Sequence, residues 1–407
     1  MSIKHLVWGF VLFIIITGLA LAFDFRNIVW ADGAPDSYLA VSSVPTGAKV
    51  KLISVSNIYY LAFSSSTGSD YYVYLTTSTD ATSWSAPTAI SPAIWGWETN
   101  GENFAEPGIF AFAYNQNGGY FGLATYATGT GYISFTTSTN GIDWSNDVLV
   151  NNTEFSTSTA ATRRLFLDFS STENFITLFL EADSGSNPGS GFYQVATSTN
   201  GAVWNFGTIG IKMGTARPLL GGGLSGSGVS RVLHAAYWDD DVKDIVYASS
   251  TNNGGSWSTT TVAAELRTAF FGMSHSITFN VDSDGRAALF YLRLDDFNMG
   301  TGAATTTAIL NRQNTDFTWT SSTIDSPMTA TVTNEPRPMS FIFYNSQNYL
   351  AGYFGNDSHP KFAGNDGSPF NDYVSSTLTL DINSGMSTDY NSSNEYGAVA
   401  YVAGGRA

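Results

Sequence analysis

Along most of this chain apolar and polar residues alternate over short stretches, and clusters of Gly, Asn or Asp separate one stretch from the next. Residues 217–262 show this grammar most openly. Arg231–Trp238 reads as a strand, Asp239-Asp240-Asp241 as a turn, Asp244–Ser249 as the next strand, Asn252-Asn253-Gly254-Gly255 as a tight turn, and Trp257 as the opening of the last strand. Short runs rich in β-branched and aromatic residues, bounded by turn formers, mark an antiparallel meander. No long segment has the charged, helix-forming makeup of a surface helix.

The grammar has a period. Ser78-Thr79-Asp80…Trp84 returns as Ser138-Thr139-Asn140-Gly141…Trp144, as Ser198-Thr199-Asn200-Gly201…Trp204 and as Ser250-Thr251-Asn252-Asn253-Gly254…Trp257. Successive Trp are 60, 60 and 53 residues apart, and a worn fifth copy ends at Trp319, 62 residues further on. A fixed period of this size is the signature of a repeat architecture whose units share one core. Each repeat offers four strands, the first being Lys49–Val55, Ile58–Phe63, Tyr71–Thr77 and Thr88–Ile90. A sixth set lacks the Trp turn and reads as Ser340–Phe343, Tyr349–Phe354, Ser376–Leu380 and Ala398–Val402. The prediction is therefore all-β: a six-bladed β-propeller of four-stranded antiparallel blades, one domain over residues 45–407. Residues 23–44 form a segment in which Ser37–Ser43 is the expected clasp on the last blade.

The repeated motif has a physical reading. An Asn or Asp side chain pins a turn by bonding the backbone two residues on, Gly takes the φ > 0 position, and Trp anchors the turn in apolar surroundings. The fourth copy, Ser250-Thr251-Asn252-Asn253-Gly254-Gly255-Ser256-Trp257, resembles the Asp-box, the bacterial neuraminidase repeat Ser-x-Asp-x-Gly-x-Thr-Trp, with Asn for Asp and Ser for Thr. The first three copies are one residue shorter, and the first alone keeps Asp. The resemblance covers about residues 45–320 and is to the sialidase-like β-propeller superfamily, as a non-sialidase member. It implies that the box lies on the turn between third and fourth strands and is structural. Function is then expected on the opposite face.

Composition narrows the partners. Asp and Glu number 33 against 17 Lys and Arg, a net charge of −16, so bulk electrostatic binding to nucleic acid or anionic lipid is not expected. There is no Cys, which rules out disulfides and thiolate metal sites. No motif calls for a cofactor or a metal. Asp239-Asp240-Asp241 and Asp282-Ser283-Asp284-Gly285 lack the spacing of a Ca²⁺ loop and read as turns, while His234 and His275 fall within strand patterns. Residues 1–22 carry a short basic start, the apolar run Leu6 to Leu21 and the small-x-small site Ala20-Leu21-Ala22. They read as a signal peptide or an N-terminal anchor, which implies an extracellular or cell-surface protein.

Candidate chemistry gathers in the connections between repeats. Arg163, Arg164, Arg217, Arg267 and Arg337 are five of the eleven arginines, and their recurrence at blade entrances suits bidentate capture of a carboxylate or sulfate. Trp95 and Trp97 offer flat apolar faces for sugar rings, and Glu98, Glu106 and Glu335 offer acceptors for hydroxyls. The sialidase resemblance implies three arginines on a carboxylate, a Tyr nucleophile with a Glu, and an Asp acid/base. This chain lacks the family's Arg-Ile-Pro motif before the first box, residues 27–60 hold a single Arg-free stretch after Arg26, and no Tyr/Glu pair can be carried over. Catalytic residues stay unassigned. The expectation is a propeller that binds a glycan or an extracellular protein. The alternatives are a glycoside hydrolase, a sialidase-like exo-glycosidase with Glu98, Glu102, Glu106, Glu265 and Glu335 as its carboxylate pool, or a structural surface component.

Overall fold

The structure is a computed structural model that describes residues 49–67, 70–80, 83–92, 94, 110–126, 133–150, 162–183, 190–213, 219–239, 244–263, 277–298, 303–331, 339–343, 348–354, 360–364, 386–391 and 396–401. Five sheets are four-stranded antiparallel meanders. Blade 1 consists of β1 (Val50–Val55), β2 (Ile58–Thr67), β3 (Asp70–Ser78) and β4 (Thr88–Ala89). Blade 2 is β5 (Phe110–Asn115), β6 (Tyr120–Tyr126), β7 (Ile133–Ser138) and β8 (Val148–Val150). Blade 3 is β9 (Thr162–Phe169), β10 (Ile176–Asp183), β11 (Ser190–Ser198) and β12 (Asn205–Met213). Blade 4 is β13 (Leu219–Ser225), β14 (Val232–Asp239), β15 (Asp244–Ser250) and β16 (Ser258–Ala263). Blade 5 is β17 (Ile277–Val281), β18 (Ala287–Asn298), β19 (Ala303–Gln313) and β20 (Trp319–Thr331).

The core lies between blades. Alternate residues of β18 divide their side chains: Ala287, Leu289 and Tyr291 pack with Ala236, Trp238 and Tyr247 of blade 4, while Ala288, Phe290 and Leu292 pack with Phe341, Tyr349 and Tyr353 beyond blade 5. Similar apolar layers join blades 1 and 2, blades 2 and 3, and blades 3 and 4. A strand buried on both faces carries apolar residues at both parities, which is why the middle strands read as near-continuous runs. Burying one such Phe is worth about 2–3 kcal/mol.

Between blades 3 and 5 the inner strand of blade 4 carries three consecutive glycines, Gly221, Gly222 and Gly223. A Cβ on Gly222 would stand 2.1 Å from the Phe179 ring of blade 3, and one on Gly221 would stand 2.5 Å from Phe279 of blade 5. Consecutive glycines in β13 therefore let two large rings press on one strand from opposite sides.

Among the described residues the expected sixth four-stranded blade is not formed. β21 (Ser340–Phe343) and β22 (Tyr349–Phe354) match their predicted bounds, but the third strand is β23 (Pro360–Gly364), and these three make their own sheet. The predicted Ser376–Leu380 lies outside the described residues. The predicted last strand appears as β25 (Tyr396–Tyr401) and pairs with β24 (Met386–Asn391), not with the sheet of β21. Among the described residues there are thus five four-stranded blades, followed by a three-stranded and a two-stranded sheet. The reason lies in the missing motif: the complete blades tie their third strand to the fourth through a Trp turn, and no such turn follows β22 or β23.

Inner strands meet around the ring in the order β1, β5, β9, β13, β17, β21 and β24, and β24 returns to β1. Ser387 Oγ accepts from Leu52 N at 3.0 Å and Asp389 accepts from Ser54 N across that seam. The expected clasp Ser37–Ser43, like residues 1–22 and the rest of 23–44, lies outside the described residues. Among the described residues no helix is long and apolar enough to cross a membrane.

Candidate functional site

The inner strands surround a central cavity of about 610 Å³. Each is the edge of its sheet, so its outward N–H and C=O groups need partners other than a next strand. Side chains from neighbouring inner strands supply several. Asp168 of β9 accepts from its own neighbour Phe169 N through Oδ1 and from Leu224 N of β13 through Oδ2, both at 2.8 Å. Asn280 of β17 repeats the device: its Oδ1 accepts from Val281 N at 2.7 Å, and its Nδ2 donates to Phe341 O of β21 at 3.2 Å. Ser387 and Asp389 do the same for β1. Polar side chains near the ends of inner strands thus lace adjacent blades at the axis.

Lys49 just before β1, Lys51 of β1, Asp168 and Asp282 are the charged residues lining the cavity, and the Lys49 ammonium lies 5.8 Å from the Phe110 ring centre. Burial pushes the Asp168 carboxyl up to about 6, against the opposing pull of its two backbone donors and of Lys51. His234, behind β13, is driven down to about 4 by burial although Asp282 favours its charged form. Its ring nitrogens lie 2.7 Å from Ser225 Oγ and 2.7 Å from Tyr247 Oη. It is a packed core histidine, as its place in a strand pattern predicts. Asp282, in the link after β17, accepts from Arg286 Nε and an Arg312 terminal nitrogen at 2.9 Å each, and from Asp284 N and Arg286 N. That carboxylate is fully engaged in a turn, in keeping with the reading of Asp282-Ser283-Asp284-Gly285 as a hairpin. Among the described residues no group of His, Asp and Glu is arranged to hold a metal ion.

The repeated turns occupy one end of the ring. In an up-and-down blade the links from first to second and from third to fourth strands share an end, so these hairpins also lie there. Ser138 Oγ accepts from Gly141 N at 2.9 Å, while Asn140 Oδ1 accepts from Ile142 N and Asp143 N at 2.8 and 2.9 Å. Ser198 and Asn200 bond Gly201, Ala202 and Val203 in the same way. Trp144 and Trp204 donate through Nε1 to Gly141 O and Gly201 O at 3.2 and 3.0 Å. Gly201 has φ +70°, and a Cβ there would stand 2.8 Å from Phe135 of blade 2, so the turn of blade 3 seats directly on its neighbour. In the longer fourth copy Trp257 Nε1 is buried without a hydrogen-bond partner, as is Trp319 Nε1 in the fifth.

Of the residues that the sequence nominated, only Arg163 and Arg164 fall among the described residues. Arg163 and Arg164 belong to β9 and Arg164 pairs with Glu181 in the β9–β10 register, near the end opposite the turns. Trp95, Trp97, Glu98, Glu106, Arg217, Arg267, Glu335 and Arg337 lie outside the described residues. Sequence reasoning passed over Lys51, Asp168, Asn280 and Asp389. For Asp168 and Asn280 the signal was a polar residue interrupting the apolar run of a first strand just before its hairpin, as in Leu165-Phe166-Leu167-Asp168.

No protein-family model and no curated protein matches the chain. Solved structures do. The BP39L lectin from Burkholderia pseudomallei is similar over 90% of this chain and 98% of its own, with a TM-score of 0.55 at 13% identity. The Hadza microbial sialidase Hz136 matches at TM-score 0.46 and 12% identity, and the chain spans 65% of its length, just under two thirds. An α-L-arabinanase of Penicillium chrysogenum matches at 0.47 and 11%. At such identities the likeness is one of fold. The chain has the β-propeller fold, as the resemblance implied.

Proposed function

We propose that this is a secreted or surface-exposed β-propeller that binds a glycan or an extracellular protein ligand on the end opposite the repeated turns. The observation that carries the reading is the division of labour between the two ends. The Ser and Asn side chains of the turns bond within their own turns, so the motif's polar groups are consumed by structure. Recognition then falls to the connections at the other end, where the sequence supplies Trp95, Trp97 and the recurrent arginines. The similarity to a lectin along nearly its whole length supports the reading, because it involves a propeller of matching extent. The apolar run Leu6 to Leu21 with Ala20-Leu21-Ala22 supports export.

The test is a glycan array probed with the full chain, alongside Trp95→Ala/Trp97→Ala and Arg217→Ala/Arg337→Ala double variants. Binding to a defined glycan class that falls at least tenfold in the Trp variant is the expected result. No glycan bound at high protein concentration overturns it. Release of reporter from aryl-glycosides, lost in the Arg variant, replaces binding with hydrolysis.

A further inference from the structure

The turn end of the propeller exposes apolar side chains that nothing in the fold requires. Ile142, Val203, Val229 and Phe317 are 72%, 66%, 104% and 76% exposed. They sit on four consecutive blades: Ile142, Val203 and Phe317 in the links from third to fourth strands of blades 2, 3 and 5, and Val229 in the link from first to second strand of blade 4. All four links share one end of the ring. The other large exposed apolar residue among those described, Leu149, lies on the outermost strand β8.

These tips are held rigidly. Val229 is the middle of a 3₁₀ turn, Gly228–Ser230, whose Gly228 N donates to Glu173 of blade 3 at 3.0 Å. The next residue, Arg231, donates to the same carboxylate and to Asn253, and lies 3.4 Å over the Phe175 ring. One hairpin further on, Asn117 Nδ2 donates to Asn174 Oδ1 at 3.3 Å, so hairpins of blades 2, 3 and 4 are cross-linked. Phe317 is more telling. It adopts φ +65°, the left-handed conformation that Gly141, Gly201 and Gly254 occupy in the other copies. Its turn is pinned by Phe317 N to Asn314 O at 3.0 Å and by Thr318 to Asp316 Oδ1. A bulky residue in this region is strained, and here the strain places an aromatic ring in solvent. Rigid, pre-exposed apolar anchors lower the ordering cost of association.

The charge around the anchors selects the partner. Asp80, Asp143, Asp284 and Asp316 are exposed on the same turns. No Lys or Arg is exposed among the described residues of these turns: Arg231 is turned onto Glu173, and Arg286 onto Asp282 and Asp284. We infer that the turn end docks a polypeptide that presents Lys or Arg side chains among apolar ones. An acidic face of this kind is unsuited to an anionic lipid surface. The surface lies at the end opposite the proposed ligand loops, so either reading can fail alone.

The test uses the full chain and a dye-labelled synthetic peptide of alternating Leu and Lys, with a Leu/Glu peptide as control. The expected result is binding of the Leu/Lys peptide alone, weakened at least tenfold in Val229→Ser/Phe317→Gly, with no fall in melting temperature and no change on the glycan array. Asp143→Asn/Asp316→Asn, which leaves the apolar tips intact, is expected to weaken binding and flatten its salt dependence. Equal affinity for both peptides, or unchanged affinity in the apolar variant, overturns the inference. So does self-association of the chain that the same variant abolishes, which makes the partner a second copy, or co-flotation with phosphatidylcholine vesicles without peptide binding, which makes it lipid.

Discussion

Asp168 and His234 pull the acid stability of the protein in opposite directions. Burial holds the Asp168 carboxyl near 6 against an ordinary 3.8, so the folded state takes up a proton that the unfolded state refuses. Folding therefore gains as pH falls from about 6 to about 4, by on the order of 3 kcal/mol. His234 stays neutral down to about 4 against an ordinary 6.5, so there the unfolded state takes the proton and folding loses as pH falls from about 6.5 to about 4. The two nearly cancel. Asp168→Asn is expected to become acid-sensitive between pH 7 and 4.5, and His234→Gln to gain stability over that window, read from urea midpoints at both pH values. Identical pH profiles for the two variants would remove this account. Phe317 gives a second residue-scale prediction: Phe317→Gly relieves the left-handed backbone and is expected to stabilise by roughly 0.5–1 kcal/mol, seen as a higher melting temperature. At this scale the sequence was legible where chemistry repeats and opaque where it does not. Four Ser-Thr-Asn/Asp turns announce themselves, whereas Asp168 is one polar letter in an apolar run, and its meaning depends on Leu224 N of another blade.

The strand-linking turn is the element that holds neighbouring blades in register. Trp204 meets Phe135 of the preceding blade edge to face at 5.3 Å, and Trp319 meets Tyr247 of its preceding blade at 5.3 Å. Trp204→Ala removes that contact and the bond to Gly201 O together, and is expected to cost about 3 kcal/mol. A urea midpoint that hardly moves would show that the turn stands without its anchor. Elements of blades 1 to 5 were readable because each apolar run ends in a turn whose residues have specific reasons to be there. β23 was not. Pro360-Lys361-Phe362-Ala363-Gly364 carries neither strict alternation nor a repeated turn, and it becomes a strand by pairing with β22.

The ring as a whole was predicted to finish in a blade like the others, and it finishes instead in a three-stranded and a two-stranded sheet. Local pattern cannot tell that β25 will choose β24, because partner choice at the closure depends on which edges the ring leaves open. A chain lacking residues 386–401 leaves β1 and β21 without the strand between them. It is expected to self-associate through those edges, seen as concentration-dependent sedimentation. A monomeric, stable product would show that closure rests on something other than β24. The glycines of β13 bear on a different matter. Phe179 and Phe279 each claim space that a side chain on that strand would fill. Grafting the first strand of any other blade into this position would wedge the ring apart, however similar the host and donor look in sequence. A protein assembled from recurring units thus carries a joint at which the units are not exchangeable.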